Sequence, residues 1–187
     1  MPRSKHENVR LKPVSILRVR SSVFVGSDGR RHSYLDLGAW RFRCSIGRSG
    51  VTRDKREGDG KTPVGRFAIL GWRFRPAGLV GARPISAWRL IRPDDGWCDQ
   101  PSAAAYNRPV RLPVAAGHER MWRDDIKYDA VGILDYNIFP RRSLRGSAIF
   151  FHLCSAEFEI TAGCIAIPAR DMQKLLPRLA GKTLVIV

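Results

Sequence analysis

The chain has 187 residues, and 44% of them are hydrophobic, which predicts one globular domain with a substantial core. Its formal net charge of +16 predicts an anionic partner, namely nucleic acid, a membrane surface or an acidic cell-wall polymer. Because arginine is spread along the chain, a merely solubilising surface charge is the alternative. No run of about eighteen apolar residues occurs, so no transmembrane segment is expected.

The beginning of the chain is polar and basic. Residues 1–12 predict a flexible basic arm, and residues 13–187 predict a single domain. No apolar stretch of signal-peptide length follows the basic start, which by itself favours the cytoplasm. The four cysteines form no CxxC pair, and their spacing fits neither a zinc ribbon nor a small disulfide framework. We therefore expect no metal site.

The first half of the chain carries short β-branched and aromatic runs separated by Gly, Asp and Pro, which predict a mainly β fold. The predicted strands are Val14–Arg20, continued by Ser22–Gly26, then Trp40–Ile46, Arg66–Phe74 and Trp88–Ile91. The predicted connections are a turn at Ser27–Arg30, a long polar loop over Gly47–Thr62 and a further loop over Pro93–Pro109.

The second half predicts strands and one helix. Apolar runs predict strands at Ala130–Ile138, Ser147–Leu153 and Cys164–Ile167. A helix begins at Pro168, and its buried face follows the i, i+3, i+4, i+7 spacing of Met172, Leu175, Leu176 and Leu179. We expect Pro177 to weaken its last turn, Gly181 to end it, and Thr183–Val187 to form a final strand.

One segment of this half brings together residue types that carry nucleophilic chemistry. His152 lies in an apolar run, and Cys164 follows Gly163 just before another apolar run. Two adjacent strands would bring this pair together, and a neighbouring imidazole lowers a thiol pKa and generates the nucleophilic thiolate. Cys154 is a rival nucleophile on the same strand face as His152, but it lacks the preceding glycine turn.

The residues around the proposed nucleophile also have candidate roles. Gly163 lets the backbone approach a substrate carbonyl, and the N–H groups around Gly163 and Cys164 are candidate oxyanion donors. Thr161 is a candidate for orienting the imidazole or donating to the substrate. His152, Cys154 and Cys164 could also be metal ligands, but the sequence offers no evident fourth ligand.

Two other motifs carry less information. A phosphate-binding loop ending at Gly60-Lys61-Thr62 would need glycine at position 55, which is Lys55. Several tryptophans among many arginines are compatible with nucleic-acid stacking, but no nucleic-acid module is recognisable. We therefore expect no nucleic acid and no nucleotide cofactor.

Two segments together carry a family resemblance. The His-bearing strand followed by Thr161-Ala162-Gly163-Cys164-Ile165 resembles the catalytic signature of YkuD-type L,D-transpeptidases. Thr62-Pro63-Val64-Gly65-Arg66-Phe67 resembles a second element of that family, and the stretches YNRPV, HERMWRDDIKYD and YN resemble a proteobacterial branch. The commoner signature is Ser-His-Gly-Cys-Ile-Arg, so Ala162 and Ala166 stand where the family usually has His and Arg.

The resemblance implies both a fold and an activity. It implies a mainly β domain, a mixed β-sandwich or open barrel with one or two helices. It implies that Cys164 forms a thioester with a peptidoglycan peptide stem, that His152 shuttles protons, and that no cofactor is needed. The alternatives are an L,D-carboxypeptidase or amidase acting on the same bond, and a non-catalytic peptidoglycan-binding module. The implied location is the cell envelope, which we favour over the cytoplasm despite the absent signal.

A substrate groove is expected from polar and aromatic residues in the irregular segments. The expected groove residues are Tyr106, Asn107, Arg108, His118, Trp122, Tyr128, Tyr136 and Asn137. Arg108 is the preferred partner of a stem carboxylate, since Ala166 stands where an arginine is usual and a guanidinium binds a carboxylate bidentately.

Overall fold

The structure is a computed structural model that describes residues 14–25, 31–76, 78, 84, 87–155 and 157–186. The predicted basic arm and the predicted turn at Ser27–Arg30 lie outside these residues. None of the helices in the described part of the chain is long and apolar enough to cross a membrane.

The described chain is built mainly from β-strands. In chain order they are β1 (Val14–Val25), β2 (Arg31–Leu37), β3 (Trp40–Cys44), β4 (Val51–Thr52), β5 (Thr62–Pro63), β6 (Arg66–Phe74), β7 (Trp88–Leu90), β8 (Asp95–Cys98), β9 (Arg108–Arg111), β10 (His118–Arg120), β11 (Ala130–Leu134), β12 (Phe150–Cys154), β13 (Ile165–Pro168) and β14 (Leu179–Ile186). The helix α1 spans Ala169–Leu175, and short 3-10 turns span Ile126–Tyr128 and Leu176–Arg178. The predicted mainly β fold class is confirmed.

Nine strands form one mixed sheet. Its order is β13-β12-β11-β6-β14-β1-β2-β3, with β7 beside β6. Just past β3, Ser45 pairs with Ala166 of β13 through two backbone hydrogen bonds of 2.8 and 3.0 Å. The two edges of the sheet therefore meet at one bridged pair, and the described strands do not form a closed barrel.

Strand β12 separates two hydrophobic cores because successive side chains in a strand point to opposite faces. Phe151 and Leu153 belong to the main core, where Met172 and Leu175 of α1 also pack. Phe150 belongs to the second core, together with the side chains of Trp97, Tyr128 and Cys164. All five residues of β12 are buried, as expected for a strand covered on both faces.

Several strand predictions are confirmed. Arg66–Phe74 is found with the predicted bounds, and the other apolar runs form strands with ends shifted by a few residues. The polar loop over Gly47–Thr62 is also found, with the two-residue strands β4 and β5 pairing within it in parallel. Strand β2 was not predicted.

The prediction of a loop over Pro93–Pro109 is wrong, because β8 lies inside it and pairs with β9 and β10 in a three-stranded sheet. Asp95 and a glycine begin β8, which is a composition typical of loops. The carboxylate of Asp95 is nevertheless buried, because Arg89 and Arg111 donate to it at 2.6 and 2.8 Å and Arg92 N–H at 2.9 Å. This compensation by distant residues permits a charged residue within a buried strand.

The predicted end of the helix is also wrong. The α-helix stops at Leu175 and tightens into a 3-10 turn over Leu176–Arg178. Pro177 explains the change, since it has no N–H with which to continue the helical hydrogen bonds. Gly181 lies inside β14 instead of ending the helix, and Leu179 begins that strand while remaining fully buried.

Candidate active site

The register of β12 and β13 brings His152 and Cys164 to one face of the sheet. In this parallel pair Phe151 lies opposite Ile165 and His152 opposite Ala166, so Cys164 is level with Phe150. The nucleophile candidate and the histidine are then diagonal neighbours, with Cα atoms about 8 Å apart from the strand rise and spacing. Both side chains line the same cavity, whose volume is about 310 Å³.

The Cys164 thiol is buried and neutral in this site. Its Sγ–H donates to Ala148 O at 3.2 Å, and Phe150 N–H donates to Sγ at 3.4 Å. Burial, reinforced by the charge of Glu119, raises the pKa of Cys164 to about 12, while Phe150 N–H and the Lys55 cation act in the opposite direction. The thiol therefore has a raised pKa, and not the lowered one expected from its histidine neighbour, because burial outweighs the other effects.

The His152 imidazole is also neutral and has a defined tautomer. Its Nδ1 lies 2.8 Å from Leu153 O, and since a carbonyl oxygen only accepts, Nδ1 carries the proton and Nε2 is free to act as a base. Burial lowers the pKa of His152 to about 4, helped by the charges of Lys127 and Arg123. The backbone carbonyl of Leu153 therefore orients the His152 imidazole, a role that a carboxylate often has in catalytic sites.

A tight turn presents Cys164 to the cavity. Thr161 Oγ1 donates to Cys164 O at 2.7 Å and accepts from Gly163 N–H at 3.2 Å. Thr161 is itself held to the start of the polar loop, because Arg48 N–H donates to its carbonyl at 2.9 Å. Gly163 has φ +146, and a Cβ there would lie 2.8 Å from Lys61 O, so this position requires glycine.

A buried cation borders this turn from the polar loop. The Lys55 side chain is only 4% exposed, and its Nζ donates to Asp59 Oδ1 at 2.5 Å and to Arg56 O at 2.9 Å. Asp59 also accepts from the backbone N–H of Arg56 and of Lys61, so it ties the loop together. The positive charge of Lys55 is therefore fixed next to Cys164 by an ion pair inside the loop.

A half-buried carboxylate borders the cavity from the three-stranded sheet. Tyr128 O–H donates to Glu119 Oε1, and the Tyr128 ring meets the His152 ring edge to face at 5.4 Å between centroids. Burial raises the pKa of Glu119, with the Tyr128 hydrogen bond and Arg123 acting in the opposite direction. Among the residues that the structure describes, none forms an ion pair with Glu119.

Of the eight predicted groove residues, only Tyr128 lines the cavity with Cys164. Asn107 lies behind it, where its Oδ1 accepts from Trp97 Nε1 at 2.9 Å and from Ala148 N–H at 3.0 Å. Because Ala148 O accepts the Cys164 thiol hydrogen bond, Asn107 supports the site from behind. Tyr136 O–H donates to Arg145 O at 2.5 Å and is likewise a scaffold contact.

The other predicted groove residues also lie outside the lining of that cavity. Tyr106 is buried and donates to Glu57, and Asn137 donates to Gly146 O at 2.8 Å. Arg108 is exposed on β9, and His118 Nδ1–H donates to Ala116 O at 2.8 Å. Trp122 lines a separate groove with Arg89 and Arg111. Their roles in substrate binding stay predictions.

The charged residues that do line the cavity were not selected from the sequence. They are Arg48, Lys55, Glu57, Asp99, Glu119, Arg123, Lys127 and Glu159. The sequence analysis selected His118, whereas its neighbour Glu119 lines the cavity. Adjacent residues of β10 point to opposite faces of the strand, and the sequence does not show which face meets the cavity. Cys154 also lines the cavity, and burial raises its pKa to about 11.

The site combines a Gly-Cys turn with a neighbouring strand that carries a histidine, within a mainly β fold. The family model of YkuD, the L,D-transpeptidase catalytic domain, matches residues 22–187, and the chain belongs to this family. Comparison with curated proteins and with solved structures found no match. Within the described residues, no group of three or more His, Cys, Asp or Glu side chains is arranged to hold a metal ion.

Proposed function

We propose that the protein is an L,D-transpeptidase that crosslinks peptidoglycan peptide stems through a thioester on Cys164. The observation that carries the proposal is a buried thiol in one cavity with a neutral imidazole whose Nε2 is left free by the bond from Nδ1–H to Leu153 O. Membership of the YkuD family supports the same substrate.

The first half-reaction forms the acyl-enzyme. Because burial keeps the Cys164 thiol neutral, its proton moves to His152 Nε2 as sulfur attacks the donor carbonyl. Gly163 N–H already donates to Thr161, so we assign the oxyanion to the backbone N–H of Cys164. The C–N bond then breaks, and His152 gives the proton to the leaving amine of the C-terminal residue.

The second half-reaction releases the product. An amine of a neighbouring stem attacks the thioester carbonyl, the C–S bond breaks, and the sulfur recovers a proton through His152. An L,D-carboxypeptidase or amidase differs only in that water replaces the amine. A non-catalytic binding module is disfavoured, since it has no need of a free Nε2 in the cavity of a buried thiol.

The cavity is lined by four cations and four carboxylates, and the cations suit the carboxylates of a peptide stem. Arg48, Arg123 and Lys127 line it, and charge-assisted hydrogen bonds to carboxylates are among the stronger polar contacts in proteins. The net charge of +16 supports contact with an anionic wall polymer. We also propose the cell envelope as the site of action, which osmotic-shock fractionation of cells carrying a C-terminally tagged protein will test against a cytosolic marker.

Purified protein incubated with muropeptides tests the function directly. We expect intact-mass spectrometry to show an acyl adduct on Cys164 and product analysis to show crosslinked dimers. Cys164→Ala should lose both signals, whereas Cys154→Ser, the matched thiol control in the same cavity, should keep most of them. An adduct on Cys154, or dimers from Cys164→Ala, would reject the assignment.

A further inference from the structure

Glu119 is a charge in the cavity that the mechanism above does not use. Its Oε1 accepts from Tyr128 O–H, and its negative charge is the second cause, after burial, of the raised pKa of Cys164. A carboxylate beside the nucleophile opposes formation of the thiolate, so it does not assist acylation. Its position therefore calls for a role after the thioester has formed.

The two charges that act on the pKa of Cys164 differ in their partners. Lys55 is paired with Asp59, whereas Glu119 accepts from Tyr128 O–H and feels the charge of Arg123, but forms no ion pair with any residue the structure describes. Asp99 lines the same cavity and its charge also raises the pKa of Glu119. A half-buried carboxylate without an ion pair is a complementary site for a ligand cation.

We propose that Glu119, held by Tyr128, receives the protonated amine of the acyl acceptor and takes its first proton. This inference rests on the proposed transpeptidase function, in which the acceptor is a stem amine. Such an amine is an ammonium ion at neutral pH and cannot attack a carbonyl until it loses a proton. Glu119 thus selects an amine over water and makes it nucleophilic in the cavity of the thioester.

The protons and bonds balance without any additional reactant. One ammonium proton moves to the Glu119 carboxylate, and the neutral amine then forms its C–N bond to the thioester carbonyl. The second nitrogen proton goes to His152 Nε2 as the C–S bond breaks, and His152 returns it to the Cys164 sulfur. Glu119 releases its proton to solvent, which restores the resting site.

Glu119→Gln tests this role, because it keeps the size and the hydrogen bond to Tyr128 but removes the charge. With a donor muropeptide and an amine acceptor, we expect crosslinking to fall about 10²-fold while acyl-enzyme formation and hydrolysis persist. Asp124→Asn is the matched control, since it makes the same chemical change at an exposed position of the neighbouring segment, and it should leave crosslinking unchanged.

Two further measurements separate this role from a structural one. Hydroxylamine is largely unprotonated at neutral pH, so it should cleave the acyl-enzyme of Glu119→Gln as fast as that of the wild type. Alkylation of Cys164 should shift to lower pH in Glu119→Gln, because a repelling charge has been removed. Crosslinking and hydrolysis that fall together, or equal losses with hydroxylamine and ammonium acceptors, would overturn the proposal. Absence of any adduct on Cys164 in the wild type would instead overturn the proposed function.

Discussion

The polar loop over Gly47–Thr62 and the three-stranded sheet of β8, β9 and β10 each supply one of the two charged side chains that act on the pKa of Cys164. The loop supplies Lys55 together with its own counter-charge, Asp59, four residues later. The sheet supplies Glu119, which forms no ion pair with the residues that the structure describes. The difference indicates that the charge of Lys55 stabilises the loop, whereas the charge of Glu119 is available to a ligand.

The largest effect on the rate of acylation is expected for His152, which lines the same cavity as Lys55 and Glu119. In His152→Ala the thiol keeps its raised pKa but loses the acceptor for its proton, so we expect acylation to fall about 10³-fold. The rate of acyl-enzyme formation at neutral pH measures this. An unchanged rate would show that His152 and Cys164 do not act together.

Lys55→Met and Glu119→Gln should change stability in opposite directions. Removing the Lys55 ammonium leaves the Asp59 carboxylate without its cation, which should lower the free energy of unfolding by about 3 kcal/mol. Removing the Glu119 charge should be neutral or slightly stabilising at pH 7, because burial raises its pKa and the folded state disfavours the carboxylate. Urea unfolding measures both.

Arg53→Met is the control for the first of these variants, since it removes an exposed cation from the same loop. We expect its unfolding midpoint to stay close to that of the wild type. If Lys55→Met were no less stable than Arg53→Met, the ion pair with Asp59 would not be structural and the contrast between the two sides of the cavity would be lost.

Acid should destabilise the protein partly through His152. Its pKa is about 6.5 unfolded and about 4 folded, so its contribution is present above pH 6.5 and is lost as the pH falls towards 4. The loss amounts to about 3 kcal/mol at most. His152→Gln should be less sensitive to pH over this range, as followed by unfolding at a series of pH values. Parallel pH curves for both proteins would contradict a buried neutral imidazole.

The smallest effect is expected at the surface arginine that the sequence favoured. Arg123 lines the cavity and Arg108 does not, so Arg123→Gln should raise the KM for donor about tenfold, whereas Arg108→Ala should change it by less than about twofold. Steady-state kinetics on one donor compares them. A large rise for Arg108→Ala with none for Arg123→Gln would restore Arg108 as the carboxylate partner.

The sequence predicted the parts of the site that depend on local patterns. The apolar runs of β12 and β13 and the glycine before Cys164 are properties of consecutive residues, and they identified the elements that carry the nucleophile and the histidine. Glu119 and Lys55 were missed because their position depends on a strand face and on loop pairing. The strand at Asp95 was missed for a similar reason, since the arginines that neutralise it come from other strands.

The bridge between Ser45 and Ala166 has a consequence for how the site is assembled. Ala166 lies two residues after the nucleophile, and its strand β13 is bordered on one side by β12 and on the other by the residue that follows β3. This strand therefore offers little free edge to another chain, which limits edge-to-edge aggregation next to Cys164. Because the bridging residues are far apart in the chain, we expect their contact to form late in folding. We expect a partly folded chain to carry Cys164 as an exposed thiol of ordinary pKa, which gains the cavity and its His152 neighbour only once the early strands have docked.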